Sequence, residues 1–274
     1  MSDSLPAAPA APAPLAPPAR PGDTGRFVYH DLMTTDPAAS RAFYAGLVGW
    51  AMQTRDVQGT AYTDLRAGGR MFGGMLGLDP AHGAPSHWMS YVAVDDVPAA
   101  CARTLGAGGQ VLVPARAIPD GSGTFAVLRD ATGSPLSVVH FTADLGEPAP
   151  DTAVGGAWWH ELLATDVEAS TRFYADVFGW EAQPMMTLPD GGTYYGFSHA
   201  GRTVGGLMKS VSPLPYSVWQ LYLTVDDVDA ALARAEQLGG AVAWPAMDVP
   251  GVGRMAGLVD ATGAHLAIGR AEAA

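Results

Sequence analysis

Two histidine–carboxylate pairs hold much of the reactive chemistry of this sequence: His30 is followed by Asp31, and His160 by Glu161. Imidazole and carboxylate groups ligate divalent metals and exchange protons. Neighbouring residues of a β-strand point to opposite faces of the sheet. We therefore expect the histidines to lie on one face and the carboxylates on the other, unless a bulge intervenes.

The two pairs occupy matching positions in an internal repeat. Residues 27–50 read FVYHDLMTTDPAASRAFYAGLVGW and residues 157–180 read AWWHELLATDVEASTRFYADVFGW, with roughly half of the positions identical and no gaps. Identity at that level within one chain indicates duplication of a structural unit. The chain is therefore predicted to contain two copies of one domain.

The elements that must position these residues follow the same order in both copies. Each copy begins with a strand, continues with a helix capped by Asp36 or Asp166, and ends that helix at a Gly-Trp pair. A second strand and helix, capped by Asp96 or Asp227, and further strands complete it. We predict an Ala/Pro-rich disordered leader at 1–25, a first domain at 26–145, a linker at 146–156 and a second domain at 157–274.

Composition excludes several classes of partner. The formal net charge is −12 and the isoelectric point is about 4.8, so nucleic acid and acidic membranes are not expected partners. The single cysteine, Cys101, permits neither an internal disulfide nor a thiolate cluster. The sequence contains neither a long apolar run nor a recognisable signal peptide, which predicts a cytoplasmic protein.

The repeated pattern resembles the vicinal oxygen chelate superfamily, which contains glyoxalases, bleomycin resistance proteins and extradiol dioxygenases. The resemblance rests on WHELLATD…FY…FGW, on a later V-D-D junction between strand and helix, and on a D-A-T-G turn before the last strand. It implies an α+β fold of two tandem glyoxalase-like domains. Each domain would consist of paired βαβββ modules whose curled, mixed sheets surround a cavity.

The resemblance also implies a divalent metal such as Fe, Mn, Ni or Zn, held by His, Gln and Glu side chains. The corresponding positions in this sequence are Tyr29, Met89 and Ser137 in the first domain and Trp159, Gln220 and Ala267 in the second. Only Gln220 among them is a plausible ligand, so no cofactor is expected. An irregular metal set of His160, Gln220 and His265 is the alternative. His30 and His160 are otherwise interpreted as hydrogen-bonded core or interface histidines.

If Tyr29 and Trp159 face the implied cavity, Asp31 and Glu161 face it too. Each carboxylate is then a candidate general base or a counter-charge for a cationic ligand, and the alternative is an ion pair or a helix-cap contact between the domains. The candidate ligand-binding residues are Tyr29, Trp159, Trp219, Gln220, Tyr194 and Tyr195. Glycine pairs at 73–74 and 205–206 are expected to mark the close approach of a ligand or a second backbone.

Three functions remain open from the sequence. The first is a metal-free protein that binds a small, aromatic or cationic molecule, and the second is a metal-free acid–base enzyme that uses Glu161 or Asp31. The third is a divalent-metal-dependent lyase, isomerase or ring-cleaving dioxygenase. A monomer with two pseudo-symmetric domains and a homodimer are both compatible with the repeat.

Overall fold

A computed structural model describes residues 23–79, 81, 83–143, 147–211 and 214–272. Most of the predicted leader, residues 1–22, lies outside the described residues. None of the helices in the described ranges has the length and apolar character needed to cross a bilayer.

The two halves contain the same elements in the same order. The first half runs β1 (Phe27–Thr34), α1 (Pro37–Val48), β2 (Ala51–Val57), β3 (Thr60–Ala67), β4 (Arg70–Gly77), β5 (His87–Ala93), α2 (Val97–Gly106), β6 (Gln110–Ala117), β7 (Gly123–Arg129) and β8 (Pro135–Phe141). The second half runs β9 (Ala157–Ala164), α3 (Val167–Phe178), β10 (Glu181–Thr187), β11 (Thr193–His199), β12 (Arg202–Lys209), β13 (Val218–Thr224), α4 (Val228–Gln237), β14 (Ala241–Val249), β15 (Gly253–Val259) and β16 (His265–Ala271).

Each half forms one open, mixed sheet. The strand order is β2-β3-β4-β1-β5-β8-β7-β6 in the first sheet and β10-β11-β12-β9-β13-β16-β15-β14 in the second. Within a module the first and last strands pair in parallel, as β1 does with β4, and the two modules meet where β1 and β5 pair antiparallel. The predicted α+β architecture of two tandem domains with paired βαβββ modules is confirmed.

The helices begin where the sequence predicts. The side chain of Asp36 accepts hydrogen bonds from the backbone N–H groups of Ala38 and Ala39, and Asp166 accepts one from Ala169. These bonds satisfy amides that have no partner inside the first helical turn. Asp96 and Asp227 cap α2 and α4 in the same way.

The apolar faces of the helices are buried in two cores that the domains share. One core combines residues of the first module with residues of the last, including Leu32, Phe43, Leu65, Leu221, Leu223 and Ile268. The other combines the second and third modules, including Val92, Ala126, Leu128, Leu162, Phe173 and Leu207. Each domain therefore completes the core of the other.

The repeated Phe-Tyr pair makes this contact between the domains. Phe43 packs so close to Gly240 that a Cβ on the glycine would lie 2.8 Å from the phenyl ring. The hydroxyl of Tyr44, which is buried, donates to Asp260 Oδ2 at 2.9 Å. In the other half of the repeat, Phe173 packs against Gly109 in the same way, and the hydroxyl of Tyr174 donates to Asp130 Oδ2 at 2.8 Å. Asp130 and Asp260 begin the two D-A-T-G turns.

Two further pairs of contacts obey the same approximate symmetry. The indole N–H of Trp50 donates to the carbonyl of Gly155, and that of Trp180 donates to the carbonyl of Gly25. Arg103 donates to the carbonyl of Val177 at the end of α3, as Arg234 does to that of Gly46 in α1. The most recognisable parts of the repeat thus join one domain to the other.

We expect Tyr44→Phe to lower the free energy of unfolding by about 1–3 kcal/mol, because it removes a donor from a buried carboxylate. Chemical denaturation followed by circular dichroism measures this change. Tyr216→Phe is the matched control, since Tyr216 is 43% exposed. Its effect is expected to stay within about 0.5 kcal/mol. An equal effect of both substitutions would contradict an inter-domain role for the Tyr44 hydroxyl.

Candidate functional site

The first candidate site lies on the face of the first sheet that is turned away from the helices, which we call cup 1. Asp31, on the central strand β1, is 6% exposed. Its Oδ1 accepts the hydroxyl of Tyr62 at 2.6 Å, and its Oδ2 accepts the hydroxyl of Tyr91 at 2.7 Å. The hydroxyl of Tyr29 lies 3.0 Å from that of Tyr62. Three tyrosines from three strands therefore surround one carboxylate.

The corresponding face of the second sheet, cup 2, repeats this arrangement around Glu161. The hydroxyl of Tyr222 donates to Glu161 Oε2 at 2.7 Å, and Tyr194 hydrogen-bonds to the same carboxylate. The indole N–H of Trp159 donates to the Tyr194 hydroxyl at 2.8 Å. Gln220 lies directly across from Glu161 in the pairing of β9 with β13. Asp31, Tyr91 and Tyr62 thus correspond to Glu161, Tyr222 and Tyr194.

The second glycine of each pair makes room for a tyrosine hydroxyl. A Cβ on Gly74 would lie 1.8 Å from the Tyr62 hydroxyl, and one on Gly206 would lie 1.9 Å from that of Tyr194. The first glycine of each pair lies against a neighbouring backbone, as Gly73 does against the carbonyl of His30. A larger residue at position 74 or 206 would displace the hydroxyl that holds the carboxylate.

A register irregularity adds one aromatic residue to cup 2. The pairing of β9 with β13 shifts between Trp159 and Ala157, so Trp158 is the extra residue. Its ring lies over Gly269, where a Cβ would be 1.8 Å away, and it meets Tyr222 edge-on with centroids 6.1 Å apart. The irregularity precedes the histidine by two residues, so it adds Trp158 to the cup and leaves His160 on the other face.

Burial raises the pKa of both carboxyl groups. Desolvation raises the pKa of Asp31, and the hydroxyls of Tyr62 and Tyr91 partly offset this by stabilising the anion. Desolvation likewise raises the pKa of Glu161, against the hydroxyls of Tyr222 and Tyr194. The pKa values of the tyrosines are themselves raised by burial and by the nearby carboxylates, so these hydroxyls remain donors.

The two cups differ in charge. In cup 1, Arg55 lies over the ring of Tyr62, donates to Asp64 at 3.0 Å and reaches Asp120 at 3.3 Å. Three carboxylates, those of Asp31, Asp64 and Asp120, thus lie in cup 1 with the Arg55 guanidinium, and a second guanidinium, that of Arg116, lies 5.6 Å from the ring centroid of Phe125, which packs in the Tyr29 cluster. In cup 2, Met185 occupies the position that Arg55 has in cup 1, and Gly196 occupies that of Asp64. A Cβ placed on Gly196 would lie 2.5 Å from the sulfur of Met185. Glu161 is therefore surrounded mainly by aromatic rings.

The histidines lie on the opposite faces of the sheets, between the domains. The rings of His30 and His160 stack with centroids 5.0 Å apart, and Phe27 stacks on His160 at 4.0 Å. His30 Nδ1 lies 3.1 Å from Ser90 Oγ, whereas His160 Nε2 is buried without a hydrogen-bond partner. Leu221 pairs with His160 where Ser90 pairs with His30. Burial lowers the pKa of His30 to about 3 and the pKa of His160 well below its usual value.

Two of the predicted ligand-binding residues do not line a cup. Trp219 packs in the shared core, where its N–H donates to Tyr174 at 2.6 Å, and Tyr195 packs against the same core. Both are strand neighbours of residues that do face cup 2, Gln220 and Tyr194, so they point the other way. The structure brings Tyr29, Trp159, Gln220 and Tyr194 to the cups with the two carboxylates.

The irregular metal set is not assembled. Gln220 pairs with Glu161 in cup 2, His160 stacks between the domains, and His265 is exposed at the start of β16. Within the part of the chain that the structure describes, no three His, Cys, Asp or Glu side chains are grouped so that they could hold a metal ion. Both oxygens of Asp31 already accept tyrosine hydroxyls. The residues of the cups do not fit a divalent-metal centre.

Sequence reasoning missed Tyr62, Tyr91 and Tyr222, which hold the carboxylates, and the charged residues Arg55, Asp64 and Asp120. A signal for the tyrosines was available. Tyr91 and Tyr222 match in the repeat and lie two residues beyond Met89 and Gln220, on the same face of their strands. The charged residues have no counterpart in the second domain, so the repeat gives no signal for them.

Comparisons with known proteins agree with this architecture. The family model described as "Glyoxalase/Bleomycin resistance protein/Dioxygenase superfamily" matches residues 158–265, and one described as "Glyoxalase-like domain" matches residues 27–139. "Putative glyoxylase CFP32" of Mycobacterium tuberculosis is 32% identical over 242 residues, which cover 87% of this chain and 92% of that protein. "Anthracycline biosynthesis protein DnrV" of Streptomyces peucetius is 36% identical over 132 residues, which cover 43% of this chain and 48% of that protein.

Two solved structures show the same fold at low sequence identity. The 2,3-dioxygenase LapB of Pseudomonas sp. KL28 aligns with a TM-score of 0.65 at 13% identity, covering 90% of this chain and 93% of that one. The Mn(II)-bound glyoxalase of Novosphingobium aromaticivorans aligns with a TM-score of 0.59 at 17% identity, covering 89% and 80%. At such identities the likeness concerns the fold alone.

The histidine stack gives a matched pair of expectations. We expect His30→Phe to destabilise the protein by about 1–3 kcal/mol, because Ser90 loses its partner. His160→Phe should cost less or stabilise the protein, because it removes a buried nitrogen that has no partner. Chemical denaturation at pH 7 compares the two variants. A larger cost for His160→Phe would contradict the assignment of hydrogen bonds.

The same histidines predict a pH dependence. Their pKa values are lowered in the folded protein, so the unfolded chain binds more protons below pH 6.5, and the stability present above that pH falls as the pH is lowered. Between pH 7 and pH 5 the loss should be about 2 kcal/mol for His30, whose folded pKa is about 3, and His160 acts in the same sense. The carboxylates with raised pKa act in the opposite sense but are common to all variants. His30→Phe should therefore lose about 2 kcal/mol less than the parent, and His160→Phe should also lose less than the parent; an unchanged loss in both variants would refute the effect.

Proposed function

The chain belongs to the glyoxalase/bleomycin resistance protein/dioxygenase superfamily, and we propose that its cups bind a small organic molecule without a divalent metal. The ligand is aromatic and carries a cationic group, and the carboxylate of each cup is its polar anchor. The observation that carries this proposal is the pair of buried carboxylates, Asp31 and Glu161, each held by two tyrosine hydroxyls.

The hydrogen bonding of the carboxylates supports a role as anchors. An ionised carboxylate has about four acceptor sites, and the tyrosines occupy two of them. On Asp31 the backbone N–H of Gly74 occupies a third site, and the lone pairs that remain on the two carboxylates can accept an ammonium group of a ligand. Because the tyrosines fix the orientation of the carboxylate before a ligand arrives, little conformational entropy is lost on binding.

The surroundings of the carboxylates favour a cationic aromatic ligand. In cup 1, the charge of three carboxylates exceeds that of Arg55 and Arg116 together. In cup 2, the rings of Trp158, Tyr194 and Tyr222 lie around Glu161, and aromatic faces attract cations. A relative named for anthracycline biosynthesis supports a polycyclic aromatic ligand as the first class to test.

The same geometry supports metal-free proton transfer as the catalytic form of this function. Glu161 or Asp31 would accept a proton from a bound substrate, since a raised pKa brings a carboxylate closer to the working range of a general base. The hydroxyls of Tyr222 and Tyr91 would stay protonated and hold the carboxyl group in place during the transfer.

The metal-dependent alternative has weaker support. Solved neighbours include an Mn(II)-bound glyoxalase and a 2,3-dioxygenase, but their likeness concerns the fold. A lyase, isomerase or dioxygenase of that type would require three or more ligands at one place. The cups instead offer Tyr29, Met89 and Ser137 in one domain and Trp159, Gln220 and Ala267 in the other.

Ligand binding can be tested by calorimetry with doxorubicin, an anthracycline with a protonated amino sugar, and with its uncharged aglycone. We expect the protein to prefer the cation by about tenfold, or about 1.4 kcal/mol. Glu161→Gln and Asp31→Asn should each reduce that preference, because each removes a negative charge from one cup. Glu168→Gln, at an exposed position on α3, is the control. Absence of saturable binding, or an equal preference in all variants, would argue against the proposal.

Metal dependence can be tested separately by elemental analysis of protein purified without chelator. We expect far less than one metal ion per chain, because the cups lack a ligand set. Addition of Fe(II), Mn, Ni or Zn should leave the thermal midpoint unchanged. Stoichiometric metal, or a midpoint that rises with metal concentration, would refute the metal-free proposal.

A further inference from the structure

A second kind of cavity lies between the two domains, apart from the cups. Its volume is about 500 Å³, within the range of pockets that hold drug-sized molecules. We call it the axial cavity, because it is lined by residues at matching positions of the two domains. These include Tyr29 and Trp159, His30 and His160, and Phe72 and Val204. It therefore lies on the approximate two-fold axis that relates the domains.

The axial cavity is separate from the carboxylate sites. Asp31 and Glu161 do not line it, and neither do the tyrosines that hold them, Tyr62, Tyr91, Tyr194 and Tyr222. Tyr29, Trp158 and Trp159 border both a cup and the axial cavity. Tyr29 and Trp159 hydrogen-bond to tyrosines of the cups, and the ring of Trp158 contacts that of Tyr222, while parts of the same three side chains line the axial cavity. A ligand in the axial cavity would contact neither carboxylate.

Aromatic and imidazole rings from both domains form part of the wall of the axial cavity. Phe27 stacks on His160, which stacks on His30, and Phe72 lies 4.8 Å from His30 between ring centroids. Trp158 and Phe141 also line the cavity. Rigid aromatic surfaces that are already in place favour a flat aromatic molecule over a flexible chain, because stacking then costs little conformational entropy.

The charged groups around the axial cavity largely balance one another. Arg26 lies 3.5 Å from Asp23, and Arg70 lies 2.7 Å from Glu147, leaving Asp151 as the remaining charged side chain of the lining. The histidines are neutral at pH 7, since burial keeps their pKa values low. The net charge of the lining is therefore small, and the hydroxyl of Thr203 is one of its exposed hydrogen-bonding groups.

From this geometry we propose that the axial cavity is a second ligand site, which takes one uncharged, planar aromatic molecule that bears hydroxyl or carbonyl oxygens. The site is formed only when both domains are present, because each contributes one wall. It binds a single molecule per chain, whereas the cups are two per chain.

The test is equilibrium dialysis of the full chain with 1-hydroxyanthraquinone, an uncharged, planar probe of the proposed class. Thr203, which is exposed and lines the cavity, is changed to Trp so that the new ring fills the space. We expect one saturable site in the parent protein and affinity at least about tenfold weaker in Thr203→Trp. Thr193→Trp places the same ring at an exposed strand position outside the cavity lining and should bind as the parent does.

Ala149→Phe, from the opposite wall, provides a second way to fill the cavity if Thr203→Trp does not fold, as judged by circular dichroism. Binding of cationic doxorubicin to the cups should be the same in Thr203→Trp as in the parent, so loss of the axial site alone is distinguishable from loss of cup binding. No saturable binding of 1-hydroxyanthraquinone, two bound molecules per chain, or equal affinity in the folded cavity-filling variants would overturn the proposal.

Discussion

The structure depends on one constraint: neither domain can bury the apolar faces of its own helices without the other. Phe43 and Tyr44 of the first domain contact Gly240 and Asp260 of the second, and Phe173 and Tyr174 return the same contacts to Gly109 and Asp130. With both cores shared, the helix-covered faces of the two sheets are fixed back to back. The opposite faces are then available for the cups.

Much of the fold could be predicted from the sequence because its signals are local. Strand periodicity, aspartate caps and the exact alignment of the repeat depend on residues that are near in the chain or on direct comparison of its two halves. The hydrogen-bond partners of the repeated Phe-Tyr pair could not be predicted. Tyr44 and Asp260 are 216 residues apart, and no local pattern links residues so distant in the chain. From the sequence, the Phe-Tyr pair is indistinguishable from the apolar face of any amphipathic helix. Its specific role appears only when the partner residues of the other domain are known.

The candidate sites were predictable only where strand alternation could be applied. Alternation separates Asp31 from His30 correctly, and the same rule applied to Gln220 and Tyr194 would have excluded Trp219 and Tyr195 from the cup. The irregularity at Trp158 and the crossing of Tyr62 over Gly74 depend on the register between strands. Register is a tertiary property, so these two features are invisible in a single strand.

The two faces of each central strand have different roles: one packs against the other domain and the other lines a cup. Substitutions on the cup face can therefore occur without disturbing the contacts between the domains. Residues such as Leu32 and Leu221 pack in the core that the two domains share, while their strand neighbours Asp31 and Gln220 face the cups. The second domain has Met185 and Gly196 where the first has Arg55 and Asp64, so the cups differ while the contacts between the domains are the same in both. In a duplicated protein of this kind, one cup can lose or change its ligand while its domain is still kept. The domain remains necessary because the other domain needs it to complete the shared cores.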